Sequence, residues 1–199
     1  MGCFTSQPDV LPKGRPKGQT KREISLNNIT MILRKDEGPK FFSADITDFY
    51  EDPGRLTRDL VVNSFLNKCE SVTTPQGNRL YIAILKKDNI YFTYGGKTTI
   101  TIHDRWISDR GSHLEHARSI RPFSSIGPTF DDIWGTLQEP YNLYIMMYKN
   151  NVHDIDVSEK NLIKMLCENQ SENILCTNIQ HTNKMRNRQK ILEKLQKFT

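Results

Sequence analysis

The sequence predicts an α+β domain: a mainly antiparallel sheet with two or three packed helices, a disordered basic N-terminal arm and a basic C-terminal helix. Three observations carry that expectation. Residues 80–103 hold three β-rich runs separated by short turns, while apolar residues at helical spacing fall in separate segments. The length, 199 residues, suits one domain with tails. The expected division is an acylated flexible basic arm over 1–22, a single globular domain over 23–180, and a basic amphipathic helix over 181–199.

Residues 7–22 contain three prolines, two glycines and five basic residues, and so cannot nucleate a core. Ile24, Leu26, Ile29, Met31 and Leu33 suggest a first strand, stopped by the turn at 36–39. Residues 41–46 suggest a second. After the Asp52-Pro53-Gly54 turn, Leu56, Leu60, Val61, Ser64 and Phe65 have helical spacing. Leu80–Leu85, Ile90–Tyr94 and Thr98–His103 read as strands of an antiparallel meander, with turns at 86–89 and at Gly95-Gly96. Residues 104–140 are polar and broken by glycine and proline, with a short helix expected at 113–119. Tyr141–Tyr148 is a strand. Ser158 caps a helix running through Cys167, with Leu162, Ile163 and Leu166 inward, and Ile174–Ile179 is a last short strand.

The charge is divided unevenly. Residues 1–22 carry five basic groups against Asp9, giving +4; residues 181–199 carry six against Glu193, giving +5. With a total of +5, the intervening 158 residues sum to −4. A uniformly basic nucleic-acid module does not have this pattern; two basic ends on an acidic body suit contact with anionic lipid or nucleic acid. No apolar run approaches the roughly 18–20 residues of a membrane span, and the N-terminus has no secretory apolar stretch. Neither a transmembrane nor an exported protein is expected. The four cysteines form no C-x-x-C pair, and Cys69, Cys167 and Cys176 are expected to be small buried hydrophobes rather than a disulfide or zinc framework.

The sharpest motif is Met1-Gly2-Cys3-Phe4-Thr5-Ser6. Gly2 with Ser6 fits the N-myristoylation pattern, and Cys3 beside it is placed as a palmitoyl acceptor. One myristoyl chain binds a bilayer only marginally, so stable anchoring takes a second chain or a basic patch. Both are present, since Lys13, Arg15, Lys17, Lys21 and Arg22 follow. The start resembles the dual-acylation starts of Src-family kinases and some G-protein α subunits. That resemblance ends near residue 6 and implies no catalysis.

Other motifs dissolve on inspection. Gly95-Gly96-Lys97-Thr98 lacks the first glycine of a phosphate-binding loop, having Tyr91 there, and reads as a hairpin turn. His103, Asp104, Ser108, Asp109, His113, Glu115 and His116 concentrate titratable groups, but with no nucleophile-elbow or zinc spacing. An exposed polar loop is the expectation. Asp131-Asp132 and Asp154-x-Asp156 are expected to be solvated turns, and Trp106, Phe123, Phe130, Ile133, Trp134 and Leu137 to pin the central loop onto the sheet. Along the C-terminus, Met185, Ile191, Leu192, Leu195 and Phe198 form one apolar face. Lys184, Arg186, Arg188, Lys190, Lys194 and Lys197 occupy the rest, making a candidate second attachment point.

The expected protein is therefore a lipoprotein carrying myristate and palmitate on the cytoplasmic face of a membrane. It acts as a viral matrix-type (virion) protein or a cellular adaptor, by binding and assembly rather than catalysis. Its partners are an anionic membrane surface, unidentified proteins and itself, with no cofactor or metal. The alternatives are a soluble enzyme using the 103–116 cluster and a nucleic-acid binder using the basic ends.

Overall fold

The computed structural model describes residues 21–31, 40–42, 47–57, 69–71, 77–120, 122–123, 127–149, 152–178 and 184–198. Gly2, Cys3, Lys13, Arg15 and Lys17 lie outside them, as does most of the helix expected from Leu56 to Phe65. The fold is α+β. Its elements in chain order are β1 (Ile29–Met31), β2 (Lys40–Phe42), α1 (Thr47–Glu51), a 3-10 turn (Pro53–Arg55), β3 (Cys69–Ser71), β4 (Arg79–Lys87) and β5 (Ile90–Thr98). There follow α2 (Ile102–Ile107), α3 (His113–Arg118), α4 (Phe130–Thr136), β6 (Asn142–Lys149), α5 (Ile155–Glu168), β7 (Ile174–Cys176) and α6 (Lys184–Leu195).

The main sheet has the order β1-β6-β4-β5-β7, and β2 and β3 form a separate two-stranded ladder. The three central strands are antiparallel, whereas the two edges run parallel to their neighbours. Strand β4 explains its own central position. Leu80 to Leu85 is apolar without interruption, and a run of that kind suits a strand covered on both faces. Tyr81, Ala83 and Leu85 face a core completed by α2, α3, α4 and α6; Leu80, Ile82 and Ile84 face one completed by α1 and α5. Asp88, at φ 52°, makes the tight β4–β5 turn.

The structure corrects several expectations. Gly95-Gly96 is no turn but the middle of β5, where the two glycines pair with Ile82 and Tyr81 of β4. The reason is close approach. A Cβ on Gly95 would come within 2.9 Å of Leu166 Cδ1 on α5, and one on Gly96 within 2.5 Å of the Tyr81 ring. The strand expected to resume at Thr98 instead ends there. The Thr101 hydroxyl accepts the Asp104 N–H at 2.9 Å and caps α2, so a side-chain cap overrides local β propensity. Among the described residues of 102–136 there are three short helices rather than one. Helix α5 begins before Ser158, capped by Asp154.

At the C-terminus the apolar face of α6 is docked. Ile191 and Leu195 are buried in the same core as Trp106 and Trp134, and Phe198 packs against it. Lys194 approaches Glu172 at 3.6 Å, while Lys190 and Lys197 stay exposed. At the other end Arg22 already belongs to the domain. Its N–H donates to the Arg118 carbonyl at 2.9 Å and its guanidinium reaches the Ala117 and Ser119 carbonyls; Lys21 is exposed.

Candidate functional site

The polar loop expected over 103–116 is a buried cluster at its centre. Ser112 caps α3 by accepting the Glu115 N–H, and Thr129 with Asp132 forms a capping box on α4. These caps set the two helices side by side over the sheet, so that His113 and His116, one turn apart, both meet the first turn of α4. His113 Nδ1 lies 2.7 Å from Asp131 Oδ1, and His116 Nδ1 lies 3.4 Å from Oδ2. On its other side His113 Nε2 lies 2.9 Å from the Tyr81 hydroxyl, which also accepts from Arg105 Nε at 3.4 Å.

One proton arrangement satisfies the whole chain. With Nδ1–H donating to the Asp131 carboxylate, Nε2 is left to accept from the Tyr81 O–H, and the Tyr81 oxygen accepts from Arg105. Trp106 stacks on the His113 ring with centroids 4.1 Å apart, and Tyr94 meets it edge-on at 5.4 Å, which locks its orientation. Burial pushes the Asp131 carboxyl up, but hydrogen bonds from His113 and His116 outweigh it and hold the group below the usual carboxylate range. Burial raises Tyr81 and Tyr94 above the usual phenol range, so both remain O–H donors.

The cluster opens onto a cavity of about 340 Å³, walled by Tyr94, Arg105, His116, Asp131, Glu159 and Ile163 among others. That is at the small end for ligand pockets. The two threonine hydroxyls on its wall are committed: Thr129 donates to Asp132, and Thr177 to the Thr93 carbonyl. Both histidines aim Nδ1 at one carboxylate, and among the described residues no group of three or more His, Cys, Asp or Glu is placed to hold a metal ion. The arrangement is suited to proton transfer or to orienting a polar ligand, with His116, half exposed, as its outermost titratable group.

His103 does not join. It is exposed and approaches Asp104 at 3.7 Å. Asp131 and Asp132, expected in a solvated turn, are buried, and Trp106, Phe130, Ile133, Trp134 and Leu137 are core. Phe123 is exposed. Lys97, from the glycine-lysine-threonine segment, pairs with Asp156 and with Glu159 on α5, well outside any phosphate-loop geometry. Sequence spacing gave no sign of Tyr81, Arg105 or Asp131, which come from three other elements.

A second grouping lies on the opposite sheet face. Cys167 and Cys176 are not bonded to each other, and their sulfurs lie 3.1 Å apart. Comparison with protein-family models, curated proteins and solved structures gives no match. Function therefore rests on the chain's own residues.

Proposed function

We propose that this chain is an acyl-anchored peripheral protein of the cytoplasmic membrane face, acting by binding and assembly without catalysis, in the manner of a viral matrix protein or a cellular adaptor. The observation that carries the reading is Met1-Gly2-Cys3 with Ser6, followed by Lys13, Arg15, Lys17 and Lys21. Myristate on Gly2 and palmitate on Cys3 would anchor the chain, and the basic residues would add attraction to an anionic leaflet. Among the described residues no helix is long and apolar enough to cross a membrane. Arg22, bonded to α3, marks where the arm meets the domain. With the apolar face of α6 docked, any membrane role of that helix falls to exposed cations such as Lys190 and Lys197.

The test is intact mass and vesicle flotation of protein made in a eukaryotic host. Wild type should carry myristate and palmitate and float with phosphatidylserine vesicles. Gly2→Ala should lose both chains and sink, and Cys3→Ser should bind weakly and reversibly. An unmodified wild-type mass, or flotation unchanged by Gly2→Ala, overturns the reading.

The convergence of His113 and His116 on Asp131 beside a cavity favours a second reading, a soluble acid–base enzyme. Its acid–base groups would be His113, His116 and Asp131, since the two threonine hydroxyls on the cavity wall are committed elsewhere. A substrate whose turnover is lost in folded His116→Gln protein would favour it.

A further inference from the structure

We propose that Cys167 and Cys176 are a reversible dithiol site that closes to an intramolecular disulfide on reaction with a hydroperoxide. The proposal stands apart from the anchor, and its geometry is local. Cys167 sits near the C-terminus of α5 and Cys176 ends β7, with their sulfurs 3.1 Å apart. That is about 1 Å beyond the roughly 2.05 Å of an S–S bond, a gap that small side-chain rotations close.

The two backbones are clamped at that approach by one side chain. Gln170 Nε2 donates to the Cys167 carbonyl at 2.9 Å, while its Oε1 accepts the Cys176 N–H at 3.0 Å. Ser171 tightens the connecting loop by accepting the Ile174 N–H and donating its own N–H to the Ile174 carbonyl. The thiols are therefore held together before any oxidation, and little ordering remains to be done on closure.

The two sulfurs also differ as a nucleophile and a resolving thiol must. Cys167 is half exposed and Cys176 is buried. The hydrogen bond between the two sulfurs lowers the Cys167 thiol, against an opposing effect of burial, and the same contact with burial pushes Cys176 far up. The thiolate is the reactive form, so attack starts at Cys167. Its sulfur takes one oxygen of the hydroperoxide as the O–O bond breaks, giving a sulfenic acid and releasing an alcohol, or water from hydrogen peroxide. The Cys176 sulfur then displaces hydroxide from the Cys167 sulfur. The S–S bond forms, the Cys176 proton leaves with that hydroxide as water, and two electrons have passed to the peroxide. A thiol such as glutathione returns the pair to the reduced state. In a reducing compartment such a bond is transient, as expected of a sensor. Closure would draw α5 toward β7 where α6 hangs on the strand, since Asn187 donates to the Cys176 carbonyl.

The test uses full-length reduced protein and hydrogen peroxide. No lysine or arginine lies between Met165 and Lys184, so trypsin delivers both cysteines in one peptide. Native protein should convert that peptide to a form two hydrogens lighter and closed to iodoacetamide, about tenfold faster than Cys69 is modified. Dithiothreitol should reverse it. Cys176→Ser should trap a dimedone-reactive sulfenic acid at Cys167, Cys167→Ser should abolish the fast reaction, and Gln170→Ala should slow closure several-fold in protein that still unfolds cooperatively. Both cysteines staying alkylatable after peroxide at the rate of Cys69 would overturn the proposal. So would dimedone labelling at Cys176 in place of Cys167.

Discussion

Gly96→Ala is expected to destabilise the domain by about 2–4 kcal/mol, the sum of an overpacking cost of about 1–3 and roughly 1 for a strained buried hydrogen bond. A methyl at 96 would lie 2.5 Å from both Cζ and the hydroxyl of Tyr81. That ring has nowhere to go. It is fully buried, and its hydroxyl is held by His113 Nε2 at 2.9 Å and by Arg105 Nε at 3.4 Å, so yielding to the methyl breaks the polar chain. Against a typical domain stability of about 5–15 kcal/mol the loss is large. The assay is urea unfolding followed by fluorescence of Trp106 and Trp134, both buried in that core. Two other glycines calibrate it. Gly95→Ala meets first the side chains of Leu166 (Cδ1 at 2.9 Å) and Leu162 (Cγ and Cδ2 at 3.1 and 3.2 Å) and should cost about 1 kcal/mol. Gly54→Ala meets the exposed Asp52 carboxylate at 3.3 Å and should fall within about 0.5 kcal/mol of wild type. In a Tyr81→Leu background the Gly96→Ala penalty should shrink, because the atoms it strikes are gone. A Gly96→Ala stability equal to that of Gly54→Ala would refute the argument that tyrosine packing dictates this glycine.

Asp131 titrates lower in the folded chain than in the unfolded one, so its contribution is present above an unfolded value of about 4 and is lost as pH falls through the folded value. Asp131→Asn should flatten that stretch of the stability–pH profile and lower stability at neutral pH, and a profile parallel to wild type below pH 4 would count against the His113–Asp131–His116 pairing. Leu195→Ala should cost about 2–4 kcal/mol in urea unfolding because the side chain is buried in the main core; a cost below about 1 would mean that α6 is detachable. Changing Lys13, Arg15, Lys17 and Lys21 to glutamine should weaken binding of the acylated protein to anionic vesicles by about 1 kcal/mol per charge, in a salt-sensitive way, and spare neutral vesicles. Equal loss on both vesicle types would point away from lipid electrostatics.

The elements that local rules specify are those the sequence announces. The apolar run of β4, the Lys-Asp-Asn turn after it and the apolar faces of α5 and α6 each rest on periodicity or turn chemistry within one segment. Glycine broke the reading at 95–96, because a glycine demanded by a tyrosine across the sheet looks, in one dimension, the same as a glycine demanded by a turn. Thr101 broke it at 98–103, where a side-chain cap turned a β-branched run into a helix start. The candidate site was half legible. His113 and His116 at helical spacing were visible, as was the crowding of titratable groups around them. Their partners were not, since Tyr81 belongs to a strand that reads as pure core, Arg105 to a segment that reads as a polar loop, and Asp131 to a pair that reads as a solvated turn. A buried polar chain of this kind leaves no spacing signature, because each member is recruited by a different element to satisfy the one before it. The tyrosine in an otherwise aliphatic central strand was the one readable clue, for a hydroxyl placed there must find a partner from the layer above.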